Sequence, residues 1–245
     1  HGNYSMCSQF RQTNIEPGGF SQYIKLSGHH INYTTFKLPP GLPVENAVFI
    51  EPLACCMRAM DRVDIQPGDW VSVVGAGAIG ILFIQLVKLA KAKAIAVDID
   101  DRRLKLAQEA GADALINPNG EDMGKKIKHL TKIGADVVLL TVTNSSTVKQ
   151  AMDYIRDGAV INIFGASQKN VTVDMNLEEI YKREITLKST YSSTPQTLES
   201  AYQLISQGRI DVSGLLSETM PLSQFKQGLD LMLSRQVYKP IFCLK

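Results

Sequence analysis

The stretch from Val71 to Asp98 constrains this chain most. A β-branched run, Val71-Ser-Val-Val74, leads into Gly75-Ala-Gly77-Ala-Ile-Gly80, then an apolar run with helical spacing, then Ala94-Ile-Ala-Val-Asp98. The pattern reads as strand, glycine turn, helix, strand and acid. Gly75 lets the chain turn sharply out of the strand, Gly77 leaves no side chain where a pyrophosphate approaches the backbone, and Gly80 lets the helix pack closely on the strand. The helix N-terminus offers N–H groups and a partial positive charge to phosphates. Asp98 ends the second strand, where a carboxylate accepts both adenosine ribose hydroxyls and repels a 2′-phosphate. A glycine triplet alone is often only a tight turn; here its flanking strand, helix and acid supply the context the motif needs. The expected ligand is NAD.

A membrane-spanning reading of Val71 to Ala90 has the length, about 20 residues, but not the detail. Three glycines cluster at one end, Gln85 and Lys88 interrupt the run, and the turn Gln66-Pro-Gly-Asp69 leads directly into it. Beyond Asp98 the rhythm of strand and helix repeats. Asp100 caps a helix through Ala110, Ala114 to Ile116 is a short strand, and Glu121 to Ile133 is an amphipathic helix. Asp136 to Thr141 is a buried strand, Thr147 to Ile155 a helix, Asp157-Gly158 a turn, Ala159 to Phe164 a strand and Ile185 to Lys188 a sixth. Such alternation indicates an α/β fold, a Rossmann doubly wound parallel sheet of six strands. Ligands of such sheets lie beyond the carboxyl ends of the strands, at the switch point between the two halves. Gly75, Gly77, Ala78, Ile79, Gly80, Asp98, Thr141, Val142, Thr143, Gly165, Ala166 and Ser167 should therefore line one crevice.

The flanks read differently. Phe20 to Lys25 alternates like a strand, His29 and His30 fit solvated loop positions, and Phe36 to Pro43 is a proline-rich connection. Glu51-Pro52 starts a helix in which Cys55 and Cys56 are small core-filling residues. After Tyr191 the order becomes helix (Thr194 to Gln207), extended piece (Leu215 to Met220), helix (Ser223 to Arg235) and strand (Lys239 to Leu244). This tail has no place in the parallel sheet and is expected to return to Phe20 to Lys25 in a second domain built from both chain ends.

Composition narrows the function. A chain of 245 residues with 44% hydrophobic content sustains a sizeable core, in one large or two moderate domains. With 26 basic against 24 acidic residues and a formal charge of +2, it carries no electrostatic footprint for nucleic acid. No membrane anchor, signal peptide or lipidation motif appears, and Cys7, Cys55, Cys56 and Cys243 show no disulfide-framework spacing, which fits a reducing, cytoplasmic setting. Residue 1 is His, and the chain is expected to start at a processed or truncated end.

The glycine turn, Asp98 with Arg103-Leu104, Ala110-Gly-Ala-Asp113, Gly134-Ala-Asp-Val-Val138 and Gly208-Arg-Ile-Asp211 together resemble the zinc-dependent medium-chain alcohol and polyol dehydrogenases. Glu51-Pro-Leu-Ala-Cys and Gly18-Gly-Phe-Ser-Gln-Tyr23 are similar to the sorbitol and threonine dehydrogenase branch, the latter to its "GGFAEY" strand. The resemblance implies a dinucleotide-binding domain over 52–191 and, over 1–51 with 192–245, part of a mainly β, GroES-like catalytic domain whose N-terminal zinc ligands are absent. It implies that Glu51 approaches the catalytic zinc or its water, the plainer reading being a helix cap before Pro52. Cys7 resembles the last of four structural-zinc cysteines. Arg103 joins the cofactor-binding residues, and Lys239 falls near the expected pyrophosphate, where a solvated surface lysine is an equal reading. Thr143 and Ser189 stand where the family usually has Gly. The implied chemistry is hydride exchange between a secondary alcohol (polyol, diol or amino alcohol) and NAD, with zinc as Lewis acid in the full-length protein, while the chain as given should bind NAD without turning over an alcohol. A zinc-free quinone or enoyl reductase and a non-catalytic nucleotide-binding module are the alternatives. The apolar last strand, Ile185 to Ser189, is expected to pair across a homodimer or homotetramer.

Overall fold

A computed structural model of the chain describes residues 2–12, 15–120, 122–165 and 171–244. The backbone divides into two compact units, one formed by His1–Cys55 with Ser192–Lys245, the other by Cys56–Tyr191. In chain order the first helices are α1 (Gly28–Thr34), α2 (Val44–Ala47) and α3 (Ile50–Val63). The sheet unit then runs β1 (Trp70–Val74), α4 (Ala78–Leu89), β2 (Lys93–Val97), α5 (Asp101–Glu109), β3 (Ala114–Ile116) and α6 (Met123–Thr131). It continues through β4 (Ala135–Leu140), α7 (Ser145–Tyr154), β5 (Ile155–Ile163), α8 (Leu177–Lys182) and β6 (Thr186–Ser189). The tail adds α9 (Pro195–Ser206), β7 (Leu216–Pro221), α10 (Phe225–Leu233) and β8 (Lys239–Cys243).

The six strands form one parallel sheet in the order β3-β2-β1-β4-β5-β6, the doubly wound order of a Rossmann fold. Register follows from burial. Ser72 lies beside Ile95 and Val138, and Val74 beside Val97 and Leu140. With side chains alternating between faces, Val74, Ile95, Val97, Val138, Leu140 and Ile161 share one core with Ile127 of α6 and Val148 and Tyr154 of α7. On β1 and β2 also packs α4, whose Ile81, Leu82, Phe83 and Ile84 are buried in succession. That depth accounts for the helix being apolar over most of its circumference, each such side chain contributing about 1.5–3 kcal/mol. Helix starts follow side-chain caps: Asp100, Asp122 and Asn144 accept N–H bonds from the first turns of α5, α6 and α7.

Several expectations need correction. The Asp157-Gly158 turn lies inside β5, where the register with β4 jumps between Ala135 and Val137 and the extra residues bulge out. Arg183 holds that bulge, its guanidinium donating to Asp157 Oδ1 (2.8 Å), Met152 O (3.0 Å) and Ile155 O (2.7 Å). Helix α8 adds an element between β5 and β6 beyond those expected above; Asn176 followed by Glu178 and Glu179 is a helix-start signature, and Asn176 caps it. The helix read as Glu121 to Ile133 is shorter, because Lys132 turns to φ 73°. Position 121 itself lies outside the described residues.

In the other unit, Phe20 to Lys25 forms no strand. Among the described residues its pairing is an isolated bridge between Glu16 and Lys25, and the Ser21 hydroxyl donates to Gly18 O (2.6 Å), curling the segment. What ties the two chain ends together is aromatic packing: the Phe20 ring lies 4.7 Å from Phe225 and 5.8 Å from Phe242, between centroids. His29 and His30 sit in α1, which Ser27 caps, rather than in a loop. Strands β7 and β8 pair in parallel.

Candidate functional site

At the carboxyl ends of β1 and β4, the two strands that flank the switch point, Val74 lies beside Leu140. One residue further, Thr141 N–H donates to Val74 O (3.0 Å) and the Thr141 hydroxyl to the same carbonyl (2.8 Å), with Gly75 O also 3.1 Å away. Gly75 turns out of the strand at φ 96°, and a Cβ there would collide with Thr141 Oγ1 and lie 2.9 Å from Val142 Cγ2. A Cβ on Gly80 would collide with Gly75 O, so this position sets how closely α4 approaches the strand. Gly77 differs. Its backbone (φ −72°, ψ −171°) suits any residue, and the nearest atom to a Cβ there would be Arg103 Nη1 at 3.7 Å. It is also the N-cap of α4 and supplies no side-chain cap. The first N–H groups of α4, including those of the half-buried Ala78 and Ile79, have no intrahelical acceptor and no side-chain cap from Gly77, and the positive end of the helix dipole lies behind them.

Asp98 follows β2 and is 9% exposed. Its Oδ2 accepts the Ala76 N–H (2.7 Å) and its Oδ1 the Asp100 N–H (3.0 Å), so the acid is braced against the glycine turn. A carboxylate has about four lone-pair positions; two bonds leave it able to accept from a vicinal diol. Asp100 Oδ1 in turn accepts Arg102 N–H (2.9 Å), and its carboxylate takes Arg102 Nε (3.2 Å) and Nη2 (2.8 Å). These bonds to Arg102 hold the Asp100 carboxyl down at about 2. Across the crevice, Val142 is 49% exposed, and the Thr143 hydroxyl is buried without a hydrogen-bond partner among the described residues. Gly165 N–H donates to Leu140 O (2.9 Å), and a Cβ at Gly165 would collide with Thr141 O. Ala166 and Ser167 lie outside the described residues.

The structure thus brings Gly75, Gly77, Ala78, Ile79, Gly80, Asp98, Arg103 and Thr141 to one end of the sheet, with Val142, Thr143 and Gly165 at the end of β4 and β5. The remaining site residues belong to the other unit. Glu51 is exposed in the first turn of α3, following Ile50 rather than capping the helix, and its Oε1 accepts from Cys55 Sγ (3.1 Å). Lys239 opens β8 with its Nζ 5.7 Å from the Phe49 ring centroid. Cys7 is exposed between two 3-10 turns. Among the described residues no group of three His, Cys, Asp or Glu is placed to hold a metal ion. Asp100, which the sequence marks as a helix cap, and Arg102 join this corner of the site as well; the spacing Asp98-x-Asp100-x-Arg102 directly after the strand is the trace they leave in the sequence.

Comparison with known proteins gives consistent matches. The sequence profile of the family described as zinc-binding dehydrogenase matches residues 78–207, more than half of the chain. An erythritol/L-threitol dehydrogenase of Mycolicibacterium smegmatis is 31% identical over 95% of this chain and 64% of its own length. A sorbitol dehydrogenase of Halalkalibacterium halodurans is 28% identical over 97% of this chain and 69% of its own. Among solved structures, a zinc-binding dehydrogenase of Sinorhizobium meliloti bound to NADP superposes with a TM-score of 0.75 at 28% identity, covering 85% of this chain and 59% of that one. The chain therefore spans somewhat under two thirds of the length of the M. smegmatis relative.

Proposed function

The chain belongs to the zinc-binding dehydrogenase family, and from that premise we propose that Cys56–Tyr191 binds NAD at the carboxyl end of its sheet, for hydride exchange with a secondary alcohol in the whole protein. The observation that carries the reading is the open cradle at Gly77: a glycine the backbone does not require, over an uncapped helix start, beside a braced acid. A dinucleotide fits these residues. The pyrophosphate takes the N–H groups at the start of α4, which need an acceptor. The adenosine ribose takes the two remaining acceptor positions of Asp98, and Arg103, already above Gly77, closes the phosphate side. Thr141 holds the end of β4 against the turn, so the floor of the crevice is fixed before the ligand arrives. The Thr143 hydroxyl, which lacks a partner among the described residues just past β4, is assigned to the nicotinamide end of the crevice. When bound, the dinucleotide supplies a ring that gives or accepts hydride.

Zinc is proposed for the whole protein on the family description, with Glu51 near it and Cys7 in a structural site. The described residues alone do not assemble a ligand set, so none of the steps above passes through a metal. The remaining assignments have the same standing: a catalytic, GroES-like domain over 1–51 and 192–245, a dinucleotide domain over 52–191, Lys239 near the pyrophosphate, a polyol, diol or amino alcohol substrate, a homodimer or homotetramer, and a cytoplasmic setting. A polyol is favoured by the names of the relatives.

Selectivity tests the reading. The braced carboxylate of Asp98 should disfavour a 2′-phosphate by roughly 2–4 kcal/mol, or about 30- to 1,000-fold in affinity. Calorimetric titration of the 245-residue chain should show NADH binding well ahead of NADPH, with Asp98→Ala narrowing the gap. Equal binding, or a preference for NADPH, would refute the assignment to NAD.

A further inference from the structure

The stretch after β2 carries two arginines, Arg102 and Arg103, and the structure uses them differently. Arg103 reaches over the glycine turn, its Nη1 3.7 Å from the position of a Cβ on Gly77. Arg102 is 78% exposed, yet its guanidinium is engaged edge-on by Asp100, which is itself only 17% exposed. Both carboxylate oxygens take part, Oδ1 with Nε at 3.2 Å and Oδ2 with Nη2 at 2.8 Å. The same Asp100 contacts the selective acid through its backbone, donating N–H to Asp98 Oδ1 at 3.0 Å. Asp98, Asp100 and Arg102 thus form one hydrogen-bonded chain, and Arg102 lies one bridging residue away from the carboxylate that faces the adenosine ribose.

A guanidinium fork matches a carboxylate and a phosphate with the same planar, two-donor geometry, so the two anions compete for it. An arginine joined through one residue to the acid assigned to the ribose is the group that would receive a 2′-phosphate if it were released. We infer that Asp100 is a specificity-determining positioning residue of the dinucleotide site: by occupying the fork of Arg102 it withholds that cation from a 2′-phosphate and keeps the site selective for the dinucleotide that lacks one. Asp98 then repels the phosphate while Asp100 removes its reward. This inference rests on the proposed binding of a dinucleotide at the end of the sheet.

Asp100 also caps α5, and that structural role must be separated from the clamp. Asn caps a helix about as well as Asp. Asp100→Asn therefore keeps the acceptor for the Arg102 N–H but removes the charge and the oxygen that holds Nη2. Titrations of NADH and NADPH against the wild type, Asp100→Asn, Arg102→Ala and the double variant give the test. Asp100→Asn should tighten NADPH binding at least fivefold and change NADH binding less than twofold. Adding Arg102→Ala should abolish that gain, and Arg102→Ala alone should leave the NADH to NADPH ratio within twofold of the wild type. If Asp100 served only as a cap, Asp100→Asn would keep the thermal midpoint and leave both dinucleotide affinities within twofold of the wild type, whichever residue stands at 102. Wild-type binding of NADH with a ratio unmoved by Asp100→Asn, or a gain that persists without Arg102, overturns the clamp alone. Failure of the wild type to bind either dinucleotide overturns the proposed function and the clamp with it.

Discussion

Gly75, Gly77 and Gly80 share a motif but not a reason. Gly75 turns at φ 96° against Thr141, and Gly80 presses on the Gly75 carbonyl, so both positions are set by the protein's own packing. Gly77 has an ordinary backbone and room for a Cβ, with Arg103 Nη1 in ordinary contact at 3.7 Å, so neither conformation nor packing requires a glycine there. The contrast yields a stability prediction. Gly80→Ala puts a methyl group into a backbone carbonyl that cannot move without disturbing the Thr141 contacts, an overpacking of the kind that costs about 1–3 kcal/mol. Its thermal midpoint should fall measurably in a calorimetric scan, even without nucleotide; an unchanged midpoint would mean that α4 is free to shift away from β1. At Asp98 the structure adds what residue type alone does not convey, namely that both oxygens are already engaged by backbone N–H groups, which fixes the direction of the remaining lone pairs.

Among the elements, β6 is the outer strand of the sheet next to β5, with Leu187 40% exposed and Lys188 Nζ donating to Arg62 O at 2.6 Å. An outer strand with exposed apolar residues pairs readily with a copy of itself. Sedimentation velocity should show a dimer or larger species at micromolar concentration, and Leu187→Lys should shift it toward monomer with the thermal midpoint held; a wild type that sediments only as monomer would remove β6 as an assembly surface. The sheet was legible because strand and helix periods, caps and glycine turns all pointed the same way from Val71 to Phe164. Where legibility failed, distant residues decided. Asp157-Gly158 has turn composition, but Gly158 N–H donates to Arg183 O at 2.7 Å and makes a bulge within β5, a pairing no local pattern announces. Phe20 to Lys25 alternates correctly for a strand yet lacks a partner along its length among the described residues, and Phe20 instead packs on Phe225 and Phe242. Helix α8, by contrast, carries a local signal in Asn176 and the two glutamates that follow it.

For the molecule as a whole, the sheet unit is organised around the glycine turn, and residues of Cys56–Tyr191 supply both the uncapped start of α4 and the braced acid. The candidate site was legible to the extent that it is local: the turn, Asp98 and the ends of β4 and β5 follow from strand order. The clamp between Asp100 and Arg102 was not, because it depends on how two side chains fold back over a helix start. Binding at Gly77 can be separated from folding with one substitution. A valine at position 77 meets no atom nearer than 3.7 Å from its Cβ and keeps an allowed backbone, so the fold should tolerate it, while its methyl groups fill the space assigned to the pyrophosphate. The decisive measurement is a calorimetric titration of NADH into the wild type and Gly77→Val, each first shown to unfold at the same temperature. The wild type should bind and Gly77→Val should lose binding by more than about 30-fold, or about 2 kcal/mol. Equal affinity of the two proteins would contradict the placement of a dinucleotide on this turn.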